Sequence, residues 1–211
     1  MVINNNLIQK YYPDLPTSVV EKISHWFPLF KEVNSSINLI SRKDIDNFIA
    51  HHVLHCLIYH KFLFPDKNSK ILDIGCGGGL PGIILALIYP DNEVVMIDSI
   101  QKKISAVNLF IRELKISNAK AICTRSEQFK GSFDIITARA VSNFANIHRW
   151  SGHLQNKQST DLQKGYWLLK GINASEEIPA HLSEKSIIYP IYDFLPLEYM
   201  TGKALFYIPF A

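Results

Sequence analysis

Five glycines stand within eight residues, Gly75, Gly77, Gly78, Gly79 and Gly82, directly after the apolar run Ile71-Leu72-Asp73-Ile74. A short apolar run of this kind reads as a buried parallel strand. Glycines supply tight turns and remove Cβ atoms, so a ligand can approach the backbone closely. Pro81 follows where a missing N–H costs a starting helix nothing, and Ile83 to Ile88 continues as an apolar helical run. Strand, glycine loop and helix N-terminus together are how α/β folds hold nucleotide-like ligands.

The loop satisfies two patterns. Gly77-Gly78-Gly79-Leu80-Pro81-Gly82 is a G-x-G-x-x-G, which suits a dinucleotide, and Asp73-Ile74-Gly75-Cys76-Gly77-Gly78-Gly79 is a D-x-G-x-G-x-G. Asp98, at the end of the next apolar run, can hydrogen-bond ribose hydroxyls in either ligand, or merely cap the helix after it. Asp73 inside the strand separates the two. Pyrophosphate wants N–H groups and positive charge, whereas S-adenosylmethionine (SAM) carries an ammonium and a sulfonium that acids suit. The pattern favours SAM over a nicotinamide dinucleotide. An NAD-dependent oxidoreductase and a non-enzymatic nucleotide-binding module remain the rival readings. Cys76 reads as a small spacer. His51, His52, His55 and His60 fall at spacings a metal could use, but no Asp, Glu or Cys completes a ligand set, so no metal is expected.

The elements that must position these residues follow from periodicity. Residues 1–66 read as a helical extension. Val19, Val20, Ile23, Trp26, Phe27, Phe30 and Val33 form an amphipathic stripe, with a kink or break expected near Phe27 because of Pro28. Ser41-Arg42-Lys43-Asp44 reads as a capping box for one helix carrying Ile45, Phe48, Ile49, His52, Val53, Cys56 and Leu57 on one face. Pro65 to Ser69 is a turn cluster that marks the boundary with a main domain, 67–211. There strands are expected at 71–75, 93–98, 119–123, 133–138 and 164–170, with helices at 81–89, 100–115 and 142–150. This alternation implies a parallel sheet with helices on both faces. Ser186–Tyr192 and Ala204–Pro209 read as an antiparallel hairpin at the sheet's edge, and the polar stretch Gln155–Lys164 as an exposed loop.

Composition sets the outer limits. With 47% hydrophobic and 19% charged residues in 211, the chain can bury a core and is not disordered. A net charge of +3 is compatible with nucleic acid without requiring it. Three dispersed cysteines make no disulfide framework, Met1 to Tyr12 lacks the apolar core of a secretory signal, and no apolar run is long enough to span a membrane. A cytoplasmic location is expected.

The segment Leu72-Asp73-Ile74-Gly75-Cys76-Gly77-Gly78-Gly79-Leu80-Pro81-Gly82-Ile83, with Asp98-Ser99-Ile100-Gln101-Lys102-Lys103, resembles the RsmG (GidB) family. Those are bacterial SAM-dependent methyltransferases that modify N7 of one guanine of 16S ribosomal RNA. The resemblance extends to Asn38-Leu39-Ile40-Ser41, His52-Val53-Leu54-His55-Cys56-Leu57, Arg125-Ser126-Glu127, Ala138-Arg139-Ala140 and Leu169-Lys170-Gly171. It implies a Rossmann-like class I fold with a seven-stranded mixed sheet. It assigns SAM contacts to Gly75, Gly77, Gly79, Leu80, Asp98, Ser126, Glu127 and Arg139. Asn38, His52, Arg125 and Arg139 match positions tied to activity, and Lys170 and Lys203 positions that meet RNA. Family members often carry Arg where Lys203 stands, and Asp and Ser where His55 and Cys56 stand. The partner implied is 16S rRNA in the small ribosomal subunit or an assembly intermediate, with the enzyme a monomer. Guanine N7 bears a free lone pair and no hydrogen, so its methylation needs no general base. The chain accordingly has no Asn/Asp-Pro-Pro-aromatic clamp of the kind used on exocyclic amines. Arg125 has a plainer reading as an ion-pair partner of Glu127.

Overall fold

The computed structural model describes residues 5–210. The first residues of the polar N-terminal stretch, 1–4, lie outside them. Helices α1 (Asn5–Tyr11) and α2 (Thr17–Ser36) open the chain. Pro28 does not break α2, which continues through it as one helix. Ile23, Trp26 and Phe30 flank the proline and are fully buried, and their packing outweighs the one missing backbone bond.

The single helix expected after Ser41 is instead a run of different turns. A 3₁₀ segment (Arg42–Asn47) leads into a π-helical turn (Phe48–Val53), then α3 (Leu54–Leu57) and α4 (Tyr59–Phe62). Ser41 makes no side-chain capping bond. The expected apolar face is nevertheless buried at Phe48, Ile49, His52, Val53, Cys56 and Leu57.

Seven strands follow: β1 (Lys70–Ile74), β2 (Glu93–Asp98), β3 (Ala119–Cys123), β4 (Ile135–Arg139), β5 (Gly165–Gly171), β6 (Ile187–Pro190) and β7 (Lys203–Pro209). The crossover helices are α5 (Gly82–Ile88), α6 (Gln101–Glu113) and α7 (Phe144–Ser151), and a short α8 (Ala180–Ser183) precedes β6. The sheet order is β3-β2-β1-β4-β5-β7-β6. β1 to β5 run parallel, and β7 pairs antiparallel with both β5 and β6, the hairpin expected at that edge. The strand order reverses between β1 and β4, and in open α/β sheets ligands bind above the carboxyl ends of the strands at such a point.

One apolar core lies on each sheet face. The first joins α1 to α4 with α5 and α6, and the second gathers α7 and α8. Trp26 sits with its ring edge-on to Phe30, Phe48 and Phe110 at 5.6, 5.2 and 5.8 Å, so α2, the π-turn and α6 share one aromatic cluster. Tyr59 anchors α4 to the sheet. Its buried hydroxyl donates to the Trp167 carbonyl at 2.8 Å and bonds the Thr137 hydroxyl. The polar stretch 155–164 is not simply exposed. Leu162 projects into solvent, but Asp161 is buried and accepts from Ser69 Oγ at 2.6 Å and the Asp66 N–H at 3.1 Å.

Tyr59→Phe removes a donor from the Trp167 carbonyl, which stays within the β4–β5–β7 pairing, and takes a partner from the buried Thr137 hydroxyl. It should cost about 1–3 kcal/mol of unfolding free energy, measured by urea denaturation with an unchanged slope. A loss within error would show that the tyrosine does not anchor the helix.

Candidate active site

The glycine loop leaves β1 at Gly75 (φ +64°) and turns again at Gly77 (φ +55°), a backbone that side chains rarely adopt. A Cβ at Gly75 would also stand 2.8 Å from Val141 Cγ2. At the far end of the loop, a Cβ on Gly82 would lie 2.3 Å from Met96 Cγ, so this glycine lets α5 close on β2. Asp73 Oδ2 accepts the Gly82 N–H at 2.8 Å and so secures the first turn of α5. Asp73 is fully buried, does not line the cavity described next, and its Oδ1 has no partner. Burial pushes its carboxyl up to about 7, against the pull of the Gly82 N–H and Arg139.

A cavity of about 330 Å³ opens over the carboxyl ends of β1, β2 and β4, lined among others by Gly75, Asp98, Ser99, Arg125, Ser126, Glu127, Val141 and Trp150. Asp98 is held on both oxygens: Oδ2 accepts the Gly77 N–H at 3.1 Å and Oδ1 the Ile100 N–H at 2.9 Å. It therefore braces the turn between β2 and α6 without capping the helix, whose N-cap is Ile100 and which has no side-chain cap, so its plainer reading as a cap is not met. It also presents an acceptor-only carboxylate to the cavity. Arg125 and Glu127 are exposed at the rim and make no ion pair with each other, so the plainer reading of Arg125 is not met. Ser126 is buried between them in a 3₁₀ turn.

Arg139 is the last residue of β4, followed by Ala140 in a left-handed conformation (φ +55°). Its Nη1 donates to His52 Nδ1 at 3.1 Å, and His52 Nε2 meets Asp44 Oδ2 at 2.8 Å. Among the described residues, Nε and Nη2 of Arg139 have no partner. Asp44 Oδ1 receives His51 Nδ1 at 2.7 Å and Asn47 Nδ2 at 3.0 Å. The π-helical turn brings the consecutive His51 and His52 to one carboxylate; such turns cluster at functional sites. Burial, then the Arg139 guanidinium, pulls the His52 pKa down from 6.5 to about 4, so its ring is neutral. Burial pushes Asp44 up, but hydrogen bonds from Asn47, His51 and His52 outweigh it and hold its pKa low. In sequence Asp44 stands out only as a capping-box acid. Its spacing of eight residues from His52 was the available signal.

The other expected residues are dispersed. Gly79 and Leu80 face the interior, Leu80 within the first core. Asn38 is exposed and makes no hydrogen bond with a described residue, while its neighbour Asn34 is buried and holds the turn by accepting the Leu39 and Ile40 N–H groups. Lys170 is engaged by the Ser142 carbonyl at 2.6 Å and Glu177 at 2.9 Å. Lys203 lies over the Tyr199 ring at 3.8 Å and donates to the Tyr199 carbonyl. His55 and Cys56 are buried, His55 with an unpartnered Nε2. Burial pushes the Cys56 thiol up to about 12, which makes it inert. Among the described residues no three His, Cys, Asp or Glu side chains gather to hold a metal.

A Rossmann-like sheet with this strand order and a glycine-loop cavity over its switch point is the architecture of methyltransferases. Among solved structures, ribosomal protein L11 methylase from Lactobacillus delbrueckii subsp. bulgaricus superposes with a TM-score of 0.52 at 14% identity, covering 74% of this chain and 77% of that one. The fibrillarin/Nop5p complex gives 0.51 at 13%, covering 68% and 73%. A family model described as rRNA small subunit methyltransferase G matches residues 19–192. Proteins named ribosomal RNA small subunit methyltransferase G are 34% identical in Christiangramia forsetii, over 96% of each chain, and 33% identical in Porphyromonas gingivalis, over 96% of this chain and 92% of that one. The chain belongs to the rRNA small subunit methyltransferase G family, and its cofactor is S-adenosylmethionine. The dinucleotide reading of the glycine pattern falls with that membership. No helix among the described residues is long and apolar enough to cross a membrane.

The depressed His52 pKa has a thermodynamic consequence. A histidine that titrates near 4 when folded and 6.5 when unfolded contributes stability fully present above pH 6.5 and lost as pH falls toward 4. Its side chain is 11% exposed, so little of this is screened away. Gln does not titrate. The stability difference between wild type and His52→Gln should therefore be flat above pH 7 and shrink by about 3 kcal/mol between pH 6.5 and 4. Taking the difference cancels the same-sign contribution of His55 and the opposite one of Asp73, and a difference that stays constant with pH would overturn the assignment.

Proposed function

We propose that the chain transfers a methyl group from S-adenosylmethionine to N7 of a guanine in 16S rRNA, acting in the cytoplasm as a monomer on the small ribosomal subunit or an assembly intermediate. The reading rests on one observation above the rest: Arg139, at the end of β4 beside the cavity, is held by one nitrogen and keeps its other donors free. Arg donates to guanine O6 and to phosphate, and the free Nε and Nη2 suit either. The resemblance of Ala138-Arg139-Ala140 to the family's own sequence supports the same role.

Asp98 fits the ribose, because its acceptor-only carboxylate is already aimed by two backbone N–H groups and ribose hydroxyls donate. Gly75 and Gly77 let the methionine end approach the backbone, with Ser126 and Glu127 at the adenine end. The cofactor supplies an electrophilic methyl group on a sulfonium. This chain's residues supply position: they hold the base with its N7 lone pair aligned and keep it there. No proton leaves N7, so no residue need act as a base, and a neutral His52 is in keeping with that. The base must leave its stack to reach such a pocket. The helical extension, residues 1–66, forms the RNA-facing wall through Asn38 and His52, with Arg125, Lys170 and Lys203 around it. The low net charge of +3 favours a folded particle over a bare fragment, because phosphate neutralisation dominates affinity for naked RNA.

Methyl transfer from labelled SAM to small-subunit particles from a deletion strain tests the activity, and chemical cleavage at N7-methylguanine locates the product. Arg139→Ala should lower transfer on the order of 10²-fold with the fold intact. Asp98→Ala should weaken SAM binding by calorimetry, and an unchanged dissociation constant would leave Asp98 only a brace for the loops at Gly77 and Ile100.

A further inference from the structure

Asp44 does not line the cavity, yet it receives hydrogen bonds from two imidazoles and an amide, and one of those imidazoles carries Arg139. We propose that Asp44 is a positioning residue: it fixes the tautomer of His52, so that His52 can hold the Arg139 guanidinium in the orientation that meets RNA. The inference rests on the reading of Arg139 given above.

The argument is one of donors and acceptors. A guanidinium has only donors, so the His52 Nδ1 facing Arg139 Nη1 must carry a lone pair. A neutral imidazole then bears its proton on Nε2, and the group facing Nε2 must accept. Asp44 Oδ2 does so at 2.8 Å. Every group around this carboxylate donates, with His51 Nδ1 and Asn47 Nδ2 both on Oδ1. A carboxylate, which only accepts, satisfies all of them, whereas an amide would point hydrogens at a donor on one side. With the proton on Nδ1, His52 would present N–H to N–H at Arg139 and the link would break. The ring cannot flip freely, because His52 is buried and the π-helical turn sets its backbone. Asp44 thus acts on Arg139 through His52 with no contact of its own to the guanidinium.

A purely structural role predicts something else. Asp44 would then only tie the 3₁₀ segment to the π-turn, and its replacement would change stability without changing the His52 tautomer or the reaction. Asp44→Asn, of the same shape, separates the two. Nitrogen chemical shifts of ¹⁵N-labelled histidine report the tautomer directly, and they do not depend on turnover. In wild type His52 should show the Nε2–H form, and in Asp44→Asn that form should no longer predominate. Transfer from labelled SAM to small-subunit particles should fall on the order of 10²-fold in kcat/KM, as for a misplaced catalytic contact, while SAM binding by calorimetry stays at the wild-type value. Adding Arg139→Ala to Asp44→Asn should cost little more, because both changes remove one interaction. A displaced tautomer with wild-type transfer would overturn the proposal.

A second pair of variants keeps the test open if Asp44→Asn does not fold. His52→Gln preserves an acceptor for Arg139 and a donor for Asp44, and His52→Leu preserves neither. Gln should retain much of the transfer that Leu loses, and equal losses would overturn the relay. Failure of the underlying reading shows separately, as wild-type turnover in Arg139→Ala, and it would remove this proposal with it.

Discussion

The Asp73 carboxylate, buried in β1, holds together the parts on which the site depends. Its Oδ2 takes the Gly82 N–H, and Gly82 stands where any Cβ would strike Met96. The start of α5 is therefore drawn against β1 and β2 at once. The loop between them turns through three glycines of positive φ, Gly75, Gly77 and Gly79, with the Cys76 N–H bonded to the Ile97 carbonyl at 3.0 Å. Asp98 then closes the arrangement from β2 through the Gly77 N–H. A buried acid is costly unless it is satisfied, and Asp73 keeps one oxygen unpartnered. Such a group is tolerated where a site gains from it, and here it lies directly beneath the loop that borders the cavity.

The N-terminal helices are part of the same structural problem. Trp26, Phe30 and Phe48 pack with Phe110 of α6, and Gly78 has no Cβ because Phe30 and Leu39 crowd it to 2.9 and 3.1 Å. The underside of the glycine loop thus rests on α2 and the turn after it. The Tyr59 hydroxyl ties the same region to β4 and β5. These contacts bring Asp44 and His52, remote in the chain, to the end of β4.

Much of the fold was legible because its signals are local. β2 and β3 fall where their apolar runs place them, and the other strands within two residues; β1, β2, β4 and β5 are short runs buried on both faces and bounded by turns, whereas β3 is a half-exposed edge strand. The helix after Ser41 was not legible. Its apolar face is present, but its 3₁₀ and π turns go with Asp44 bonding two imidazoles, a contact that helical periodicity does not encode. Pro28 shows the same override, with the packing of Trp26 and Phe30 keeping α2 whole. Within the site, Asp98, Arg125, Ser126 and Glu127 do come together in one cavity, because the ends of adjacent parallel strands must converge there. Lys170 and Lys203 are cations on the sequence alone, but here they are already held by Glu177 and by the Tyr199 ring and carbonyl.

The charge arrangement around Arg139 leaves part of its fork uncommitted. A guanidinium paired directly with a carboxylate would spend its fork on that pair. Here a neutral imidazole stands between them, so Asp44 and Arg139 are linked without bonding each other. The negative charge of Asp44 offsets the cost of holding Arg139 half-buried, while only one guanidinium nitrogen is consumed. His52 is suited to this because it donates on one side and accepts on the other while carrying no charge of its own. A lysine in place of Arg139 would bring the charge without the fixed fork, and a carboxylate in place of His52 would take the fork for itself. An undirected cation would suffice to attract a polyanion, whereas holding a bound group in one orientation calls for donors whose directions are set in advance.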